Sequence, residues 1–144
     1  MGETADNKRL VREYLQRCED GDIARVAEML APDLEWWVAG SFPGAGLVPR
    51  DVLMGSLGRI GGSLVEPLRF EIECMTAEGD RVAVAARARA RRKDGSVYEQ
   101  AYHMLFFIRD GVIVAGRPYL DTLAFAEQVH GAIVAYPENG KDRE

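Results

Sequence analysis

Arg87 has the most distinctive chemistry in this sequence, because it lies in a stretch where charged and apolar residues alternate. A guanidinium inside an apolar pocket is unfavourable unless it is paired, and it can hold a carboxylate or an enolate through two parallel hydrogen bonds. Arg87 is therefore a candidate catalytic residue that receives such a group from a substrate. The alternatives are an ion pair with Glu71, Glu99 or Asp121, or a side chain that faces solvent.

Asp121 and His103 are the residues that could supply acid–base chemistry. Asp121 is a candidate base at the mouth of a pocket, although its place just before Thr122 also suits the N-cap of a helix. A histidine side chain can take up or release a proton in catalysis, but the strand pattern puts His103 on the face opposite the pocket. The other histidine, His130, has no carboxylate motif beside it, so we expect no metal site. We expect no cofactor either.

The length and composition predict a single soluble domain over residues 1–144, with its core at about residues 8–130. The chain has 144 residues, is 47% hydrophobic and 28% charged, and carries a net charge of −5. This charge argues against nucleic acid or an anionic membrane as partners, and no apolar run is long enough to span a bilayer. The charged N-terminus does not resemble a signal peptide, so we expect a cytoplasmic protein. Cys18 and Cys74 are then small buried hydrophobes without reactivity.

Apolar residues at helical spacing predict four helices. The first two meet at Gly21, which suits a C′ position, and Asp22, which suits the N-cap of the second helix. Pro32 ends the second helix. The third helix follows a proline and is weakened by several glycines, and Asp121 caps the fourth. An apolar run at residues 132–136 could close over a pocket or pack on a partner.

Alternation of apolar and polar residues predicts five strands. They span residues 34–38, 69–75, 81–92, 97–108 and 112–120, and a glycine-rich loop covers residues 39–47. The element order ααβαββββα indicates an α+β fold, in which a curved antiparallel sheet carries helices on one face.

Two tight turns predict which strand residues share a face. A two-residue turn at Asp94 and Gly95 would set Arg87 opposite Tyr102, and a similar turn at residues 78–79 would set it opposite Phe70. The resulting pocket face contains Phe70, Ile72, Ala85, Arg87, Arg89, Gln100, Tyr102, Met104 and Phe106. The opposite face contains Glu71, Glu73, Val84, Ala86, Ala88, Ala101, His103, Leu105 and Phe107. This flatter face predicts a homodimer that forms through the outer side of the sheet.

Several short segments together resemble one superfamily. They are residues 10–15 (Leu-Val-Arg-Glu-Tyr-Leu), 21–23, 29–33, 107–113 and 117–121. In order and spacing they are similar to the nuclear-transport-factor-2-like superfamily, which includes ketosteroid isomerase, limonene-1,2-epoxide hydrolase and the SnoaL-like polyketide cyclases. The resemblance covers about residues 8–130. It implies a cone-shaped α+β barrel whose hollow holds a ligand.

The resemblance to ketosteroid isomerase implies part of a catalytic arrangement. Tyr14 matches the tyrosine that donates a hydrogen bond to the developing enolate in that enzyme. The position of the general base is occupied by Val38, which has no carboxylate. The second acid of that enzyme falls near Tyr102, His103 or Met104, where a phenol or an imidazole could replace it.

The resemblance to limonene-epoxide hydrolase implies no retained mechanism. Its Asp-Arg-Asp set matches Ala85, Arg87 and Pro118, so both carboxylates are absent. We therefore expect no epoxide hydrolysis by that water-activating mechanism.

We expect an isomerase or cyclase that acts on a hydrophobic, polyketide-like natural-product intermediate in an apolar pocket. It would fold the substrate and polarise it with hydrogen bonds, without the family's usual carboxylate base. The candidate catalytic residues are Tyr14, Arg87, Tyr102 and Asp121, and the candidate substrate-binding residues are Trp37, Ser41, Phe42, Gln100, Met104, Leu120 and Phe125. One alternative is a non-catalytic dimeric module that binds a small molecule. The other is an acid–base isomerase that uses Asp121 or His103.

Overall fold

Helices and strands account for most of the chain in a computed structural model, which describes residues 2–128. The helices are α1 (Gly2–Asp20), α2 (Ile23–Met29), α3 (Arg50–Gly62) and α4 (Thr122–Gln128). The strands are β1 (Leu30–Val38), β2 (Gly46–Val48), β3 (Arg69–Glu78), β4 (Arg81–Arg91), β5 (Val97–Arg109) and β6 (Val112–Leu120). The predictions made for His130 and for residues 132–136 lie outside the described residues.

The strands form a single curved sheet in the order β2-β1-β6-β5-β4-β3. This arrangement confirms the α+β fold with helices against a curved sheet. Two details differ from the sequence prediction. The loop at residues 39–47 contains the start of the short strand β2, which is antiparallel to β1. Strand β1 runs parallel to β6, because the intervening chain is long enough to bring β6 back in the same direction.

The junction between α1 and α2 forms as the sequence predicts. Gly21 has φ +70, its N–H donates to the Cys18 carbonyl, and the Asp22 N–H donates to the Arg17 carbonyl. These two bonds are the Schellman arrangement that ends a helix. The Asp22 carboxylate then accepts the Arg25 N–H at 3.1 Å and caps α2. Pro32 does not end this helix: α2 finishes at Met29, and the proline lies within β1.

The core lies between α1 and the concave face of the sheet. From α1 the residues Val11, Tyr14 and Leu15 are all at most 3% exposed. They pack against buried sheet residues, which include Val82, Val84, Trp36, Phe106 and Ile113. Residues 2–6 also belong to α1, whereas the polar sequence predicts a frayed end.

The register between β4 and β5 differs from the prediction by one residue. Arg92 donates its N–H to the Ser96 carbonyl at 2.8 Å, and Gly95 donates to the Arg92 carbonyl at 3.0 Å. Gly95 has φ +89, so the loop holds three residues (93–95) and ends in a left-handed glycine, instead of two residues. Arg87 consequently lies opposite Ala101, and not opposite Tyr102.

The turn between β3 and β4 also shifts from the predicted position. Glu78 pairs with Arg81, and the turn is formed by Gly79, with φ +57, and Asp80. The pairing is irregular between Ile72 and Cys74, so that two successive residues there are exposed. Cys74 is therefore exposed, which contradicts the buried side chain predicted from the sequence.

In the observed registers, β4 is turned over relative to the prediction: the residues predicted to face the pocket face outward, and the others face inward. Its inward side chains are small and apolar: Val82, Val84, Ala86, Ala88 and Ala90. Its outward side chains include Ala85, Arg87, Arg89 and Arg91. The face predicted for β5 agrees with the structure, since Gln100, Met104 and Phe106 are buried and His103 is exposed.

The outer face of the sheet carries Trp37, Leu47, Phe107, Arg117 and Tyr119. The Arg117 guanidinium lies 6.0 Å from the Trp37 ring and 5.8 Å from the Phe107 ring, and Leu47 is 75% exposed. The homodimer through this face stays a prediction. Within residues 2–128, no helix has the length and apolar character needed to cross a membrane.

Alanine substitutions at Gly116 and Gly58 give a matched test of the packing in the core. A Cβ at Gly116 would lie 2.2 Å from the Trp36 ring, whereas one at Gly58 would meet nothing within 4 Å. We expect Gly116→Ala to lower the free energy of unfolding by about 3 kcal/mol through overpacking. We expect Gly58→Ala to raise it by about 0.5–1 kcal/mol, since alanine favours helix. Urea denaturation measures both, and an unchanged midpoint for Gly116→Ala would contradict this description of the core.

Candidate functional site

A cavity of about 550 Å³ lies between the concave face of the sheet and helices α1 and α3. Its wall is mainly apolar. The large side chains that line it include Leu15, Trp36, Val38, Phe42, Leu53, Phe70, Met104, Leu120 and Phe125. A cavity of this size and character is suited to a hydrophobic small molecule.

Four weakly acidic groups also line the cavity: the phenols of Tyr14, Tyr98 and Tyr102 and the thiol of Cys18. The hydroxyl groups of Tyr98 and Tyr102 hydrogen-bond to each other. The Tyr14 hydroxyl lies within hydrogen-bonding range of the Cys18 thiol. The cavity therefore presents hydrogen-bonding groups in two pairs inside a mostly apolar wall.

Secondary structure places these groups directly. Tyr14 and Cys18 are four residues apart on α1, so they share one face of the helix. Tyr98 and Tyr102 are four residues apart on β5, so both project from the concave face. The Tyr14 ring also packs edge-on against Phe106, with 5.5 Å between ring centroids.

Burial keeps all four groups protonated at neutral pH. Loss of solvation raises the pKa of Tyr98 to about 12 and the pKa of Cys18 to about 12. Burial likewise raises the pKa values of Tyr14 and Tyr102 well above their usual range. The phenols can therefore act as neutral hydrogen-bond donors. The Cys18 thiol is not a nucleophile under these conditions, because only the thiolate reacts.

The carboxylates that line the cavity belong to Glu19, Asp20 and Glu66. Asp20 is exposed and pairs with Arg17 at 3.0 Å. Glu19 accepts the Phe70 N–H at 2.5 Å, and Glu66 accepts the N–H of Arg91 at 3.1 Å. No Lys, Arg or His among the described residues lines the cavity.

Six of the residues predicted for the site line the cavity: Tyr14, Phe42, Tyr102, Met104, Leu120 and Phe125. Tyr98 and Glu19 also line the cavity, although neither is among the site residues predicted from the sequence. Tyr98 could have been found, because it lies four residues before Tyr102 on one strand and therefore faces the same side. Glu19 carried no signal of its own, since its approach to β3 depends on how α1 packs.

Arg87 lies outside the cavity, on the outer face of β4. Its guanidinium Nε binds the Glu73 carboxylate at 2.9 Å, and its side chain is 68% exposed. The interpretation of Arg87 as a pocket residue is therefore wrong. The three-residue loop at residues 93–95 moves the register by one position, which turns this side chain from the concave face to the outer face.

Asp121 and Gln100 are structural groups next to the cavity. The Asp121 carboxylate accepts the Ala124 N–H at 3.1 Å, which is the N-cap role the sequence also allows. Gln100 is 5% exposed; it accepts the Asp121 N–H at 2.9 Å and donates to the Asp121 carbonyl at 3.1 Å. This amide fixes the start of α4 to β5. Neither residue lines the cavity.

Trp37, Ser41 and His103 also lie away from the cavity. Trp37 faces outward from β1 and packs on Tyr119, with 5.7 Å between ring centroids. Its neighbour Trp36 takes the inward position, because successive strand residues point to opposite faces. Ser41 is exposed in the loop before β2, and His103 is exposed on the outer face of β5. A base at Asp121 or His103 therefore has no direct access to the cavity.

The positions that the family resemblance marks as catalytic are divided between the two faces. Val38, Tyr102, Met104 and Pro118 line the cavity, and none of them carries a carboxylate. Ala85 lies outside it, in the alternate position of β4 that faces away from the core.

The SnoaL-like domain family matches residues 11–116 of this chain. The chain belongs to the SnoaL-like domain family. Its fold is that of the wider nuclear-transport-factor-2-like superfamily, and the resemblance noted in the sequence is thereby confirmed.

Solved structures agree with this assignment. Bal32a, from a soil-derived mobile gene cassette, is 23% identical over 88% of this chain and 98% of its own, with a TM-score of 0.75. A candidate SnoaL-like polyketide cyclase from Jannaschia sp. CCS1 is 21% identical over 95% of this chain and 97% of its own, with a TM-score of 0.71. An LEH-like epoxide hydrolase from M. tuberculosis is 20% identical over 92% of this chain and 96% of its own, with a TM-score of 0.72.

Because these identities are low, the solved structures establish only the fold of this SnoaL-like protein, and not its reaction. No curated protein matches the chain. Within residues 2–128, the side chains of His, Cys, Asp and Glu form no group of three that could hold a metal ion.

The buried phenols predict a stability that falls at alkaline pH. The folded state holds the Tyr102 proton well above the ordinary value of 10.0, and the unfolded chain releases it near that value. The unfolded state therefore binds fewer protons above about pH 10, and the free energy of unfolding decreases as pH rises. We expect Tyr102→Phe to flatten this decrease in urea titrations at pH 9 to 11.

The matched control is Tyr119→Phe, which removes an exposed phenol from the outer face. The slope of stability against pH for Tyr102→Phe should be flatter than the slope for this control. Equal slopes for Tyr102→Phe and the unmodified protein would contradict the buried environment described for Tyr102.

Proposed function

We propose that this SnoaL-like protein is an isomerase or cyclase of an uncharged, hydrophobic, polyketide-like natural-product intermediate. The observation that supports it best is the apolar cavity of about 550 Å³ lined by neutral phenols. Such a cavity takes a folded carbon skeleton and offers hydrogen bonds to its carbonyl groups. The SnoaL-like polyketide cyclases within the family are consistent with this class of substrate.

Substrate folding is the first contribution of the cavity. Trp36, Phe42, Phe70 and Phe125 give rigid walls, and the Phe42 and Phe125 rings are 5.4 Å apart. A flexible chain held between such walls has two of its carbons close together, which removes much of the entropy cost of ring closure. Trp36, and not the predicted Trp37, forms part of this wall.

Polarisation is the second contribution. Tyr14 and Tyr102 donate to a substrate carbonyl and stabilise the negative charge that develops on its oxygen in an enol-like transition state. Because loss of solvation raises the pKa of both phenols, they remain protonated while they donate. Val38 occupies the position that corresponds to the general base of ketosteroid isomerase, so no side chain there can accept a proton. The substrate itself or a water molecule must accept the proton that leaves the substrate carbon.

The second candidate function is non-catalytic binding of the same class of molecule. The observation that favours it is the apolar Val38 at the position of the general base, inside the cavity. A ligand that binds tightly and is recovered chemically unchanged would support binding without catalysis.

The experiment is incubation of the protein with uncharged aromatic β-ketoesters that carry a second ketone or an aldehyde group in the same molecule, followed by liquid chromatography and mass spectrometry. An aldol ring closure gives a product of equal mass and new retention, and a dehydrative closure gives a product that has lost one water. Failure to convert or bind any member of the series would contradict the proposal.

Variants test the roles of the two phenols. We expect Tyr14→Phe and Tyr102→Phe each to lower kcat by roughly a hundredfold, or about 3 kcal/mol, because each removes a donor to the developing oxyanion. Arg87→Ala is the control and should keep the wild-type rate, since its guanidinium lies on the outer face. Wild-type rates for both phenylalanine variants would exclude this mechanism.

A further inference from the structure

Tyr98 is the phenol of the cavity to which neither the sequence nor the proposed function gives a role. It lines the cavity, is 2% exposed, and its hydroxyl bonds to the Tyr102 hydroxyl. The two residues are four positions apart on β5, so about 13 Å of extended chain separates their Cα atoms. For the hydroxyls to meet, both side chains must lean towards each other along the strand.

Small neighbours leave room for these two leaning rings. The residues opposite Tyr98 and Tyr102 on β4 are Ala90 and Ala86, and the one between them is Ala88. All three alanines are at most 2% exposed. Larger side chains at these positions would occupy the space that the phenols use. The hydroxyl contact therefore depends on the corrected register of the β4–β5 hairpin.

The two phenols occupy different surroundings within the cavity. Tyr102 lies within electrostatic range of Tyr14 and Cys18, and its ring packs 6.1 Å from the Phe70 ring. Tyr98 lies towards the hairpin end, near Arg92, and clusters with Ala88 and Phe125. Tyr102 is thus next to the other candidate donor, Tyr14, while Tyr98 lies behind it.

We propose that Tyr98 is a positioning residue for Tyr102: its hydroxyl donates to the Tyr102 oxygen and directs the Tyr102 hydrogen into the cavity. Two hydroxyl groups that share one hydrogen bond have one hydrogen left for a ligand. A phenol that accepts a hydrogen bond is also polarised and becomes a stronger donor. Tyr98 then raises the strength and fixes the direction of the bond to a substrate carbonyl. This inference rests on the proposed function, in which Tyr102 is a donor.

An uncharged aromatic ketone tests the inference without knowledge of the natural substrate. The probe is 6-propionyl-2-(dimethylamino)naphthalene, with an isotope label at its carbonyl. Fluorescence titration gives the Kd of the probe, and infrared difference spectra of the full-length protein give the stretching frequency of the bound carbonyl. This frequency falls as the hydrogen bond to the carbonyl becomes stronger. If Tyr98 has a purely structural role, removing its hydroxyl leaves the frequency unchanged.

Three tyrosine-to-phenylalanine variants are compared with the unmodified protein. We expect Tyr102→Phe to raise the carbonyl frequency to that of a ketone bonded by Tyr14 alone and to weaken Kd roughly tenfold. Tyr98→Phe should raise the frequency part of the way and weaken Kd roughly threefold. Tyr119→Phe, on the outer face, should change neither. Phenylalanine keeps the Tyr98 ring that packs with Phe125, so the variant retains its core contacts.

The outcomes separate this inference from the proposed function. If Tyr102→Phe shifts the frequency and Tyr98→Phe leaves it at the wild-type value, the positioning role is wrong while the proposed donor stands. If Tyr102→Phe causes no shift, the donor assigned to Tyr102 is wrong, and the inference falls with it. A protein that does not bind the probe at all would overturn both.

Discussion

The three-residue loop at Lys93, Asp94 and Gly95 controls the inner surface of this domain. Because Gly95 takes a left-handed conformation, the two strands meet with one set of side chains turned inward and the other outward. On β4 the inward set is small and the outward set is mostly arginine. On β5 the inward set brings two phenols and an amide to the same face. A shift of one residue would turn the guanidinium groups of β4 to the face that carries these phenols.

The polar groups of the cavity are tolerated because they bind one another. A buried hydroxyl or amide is unfavourable unless it has a hydrogen-bond partner. Tyr98 pairs with Tyr102, Tyr14 pairs with Cys18, and Gln100 binds the backbone of Asp121. Loss of solvation keeps the phenols and the thiol neutral, and the pairing orients them. The cavity can therefore polarise a ligand while its wall stays largely apolar.

The carboxylates near the site hold the scaffold together. Glu19 ties the end of α1 to β3 through the Phe70 N–H, and Asp121 caps α4. Gln100 fixes that cap to the sheet, so α4 keeps Phe125 against Phe42 at one side of the cavity. Glu66 likewise holds an N–H of β4. The carboxylates of Glu19, Glu66 and Asp121 are therefore engaged by backbone N–H groups of the scaffold.

Local features determined much of the fold before any packing was known. Gly21 and Asp22 end one helix and begin the next through bonds within a few residues, and Asp121 caps α4 in the same way. Period-two alternation also sufficed to place Gln100, Tyr102 and Met104 on one face of β5. Tertiary structure alone decided the partner of Arg87, the side on which Trp36 and Trp37 lie, and the approach of Glu19 to β3. These features depend on the length of a loop, on an irregularity in a strand and on the packing of a helix. A change of one residue in loop length or strand register reverses the face of a side chain while the sequence pattern stays the same.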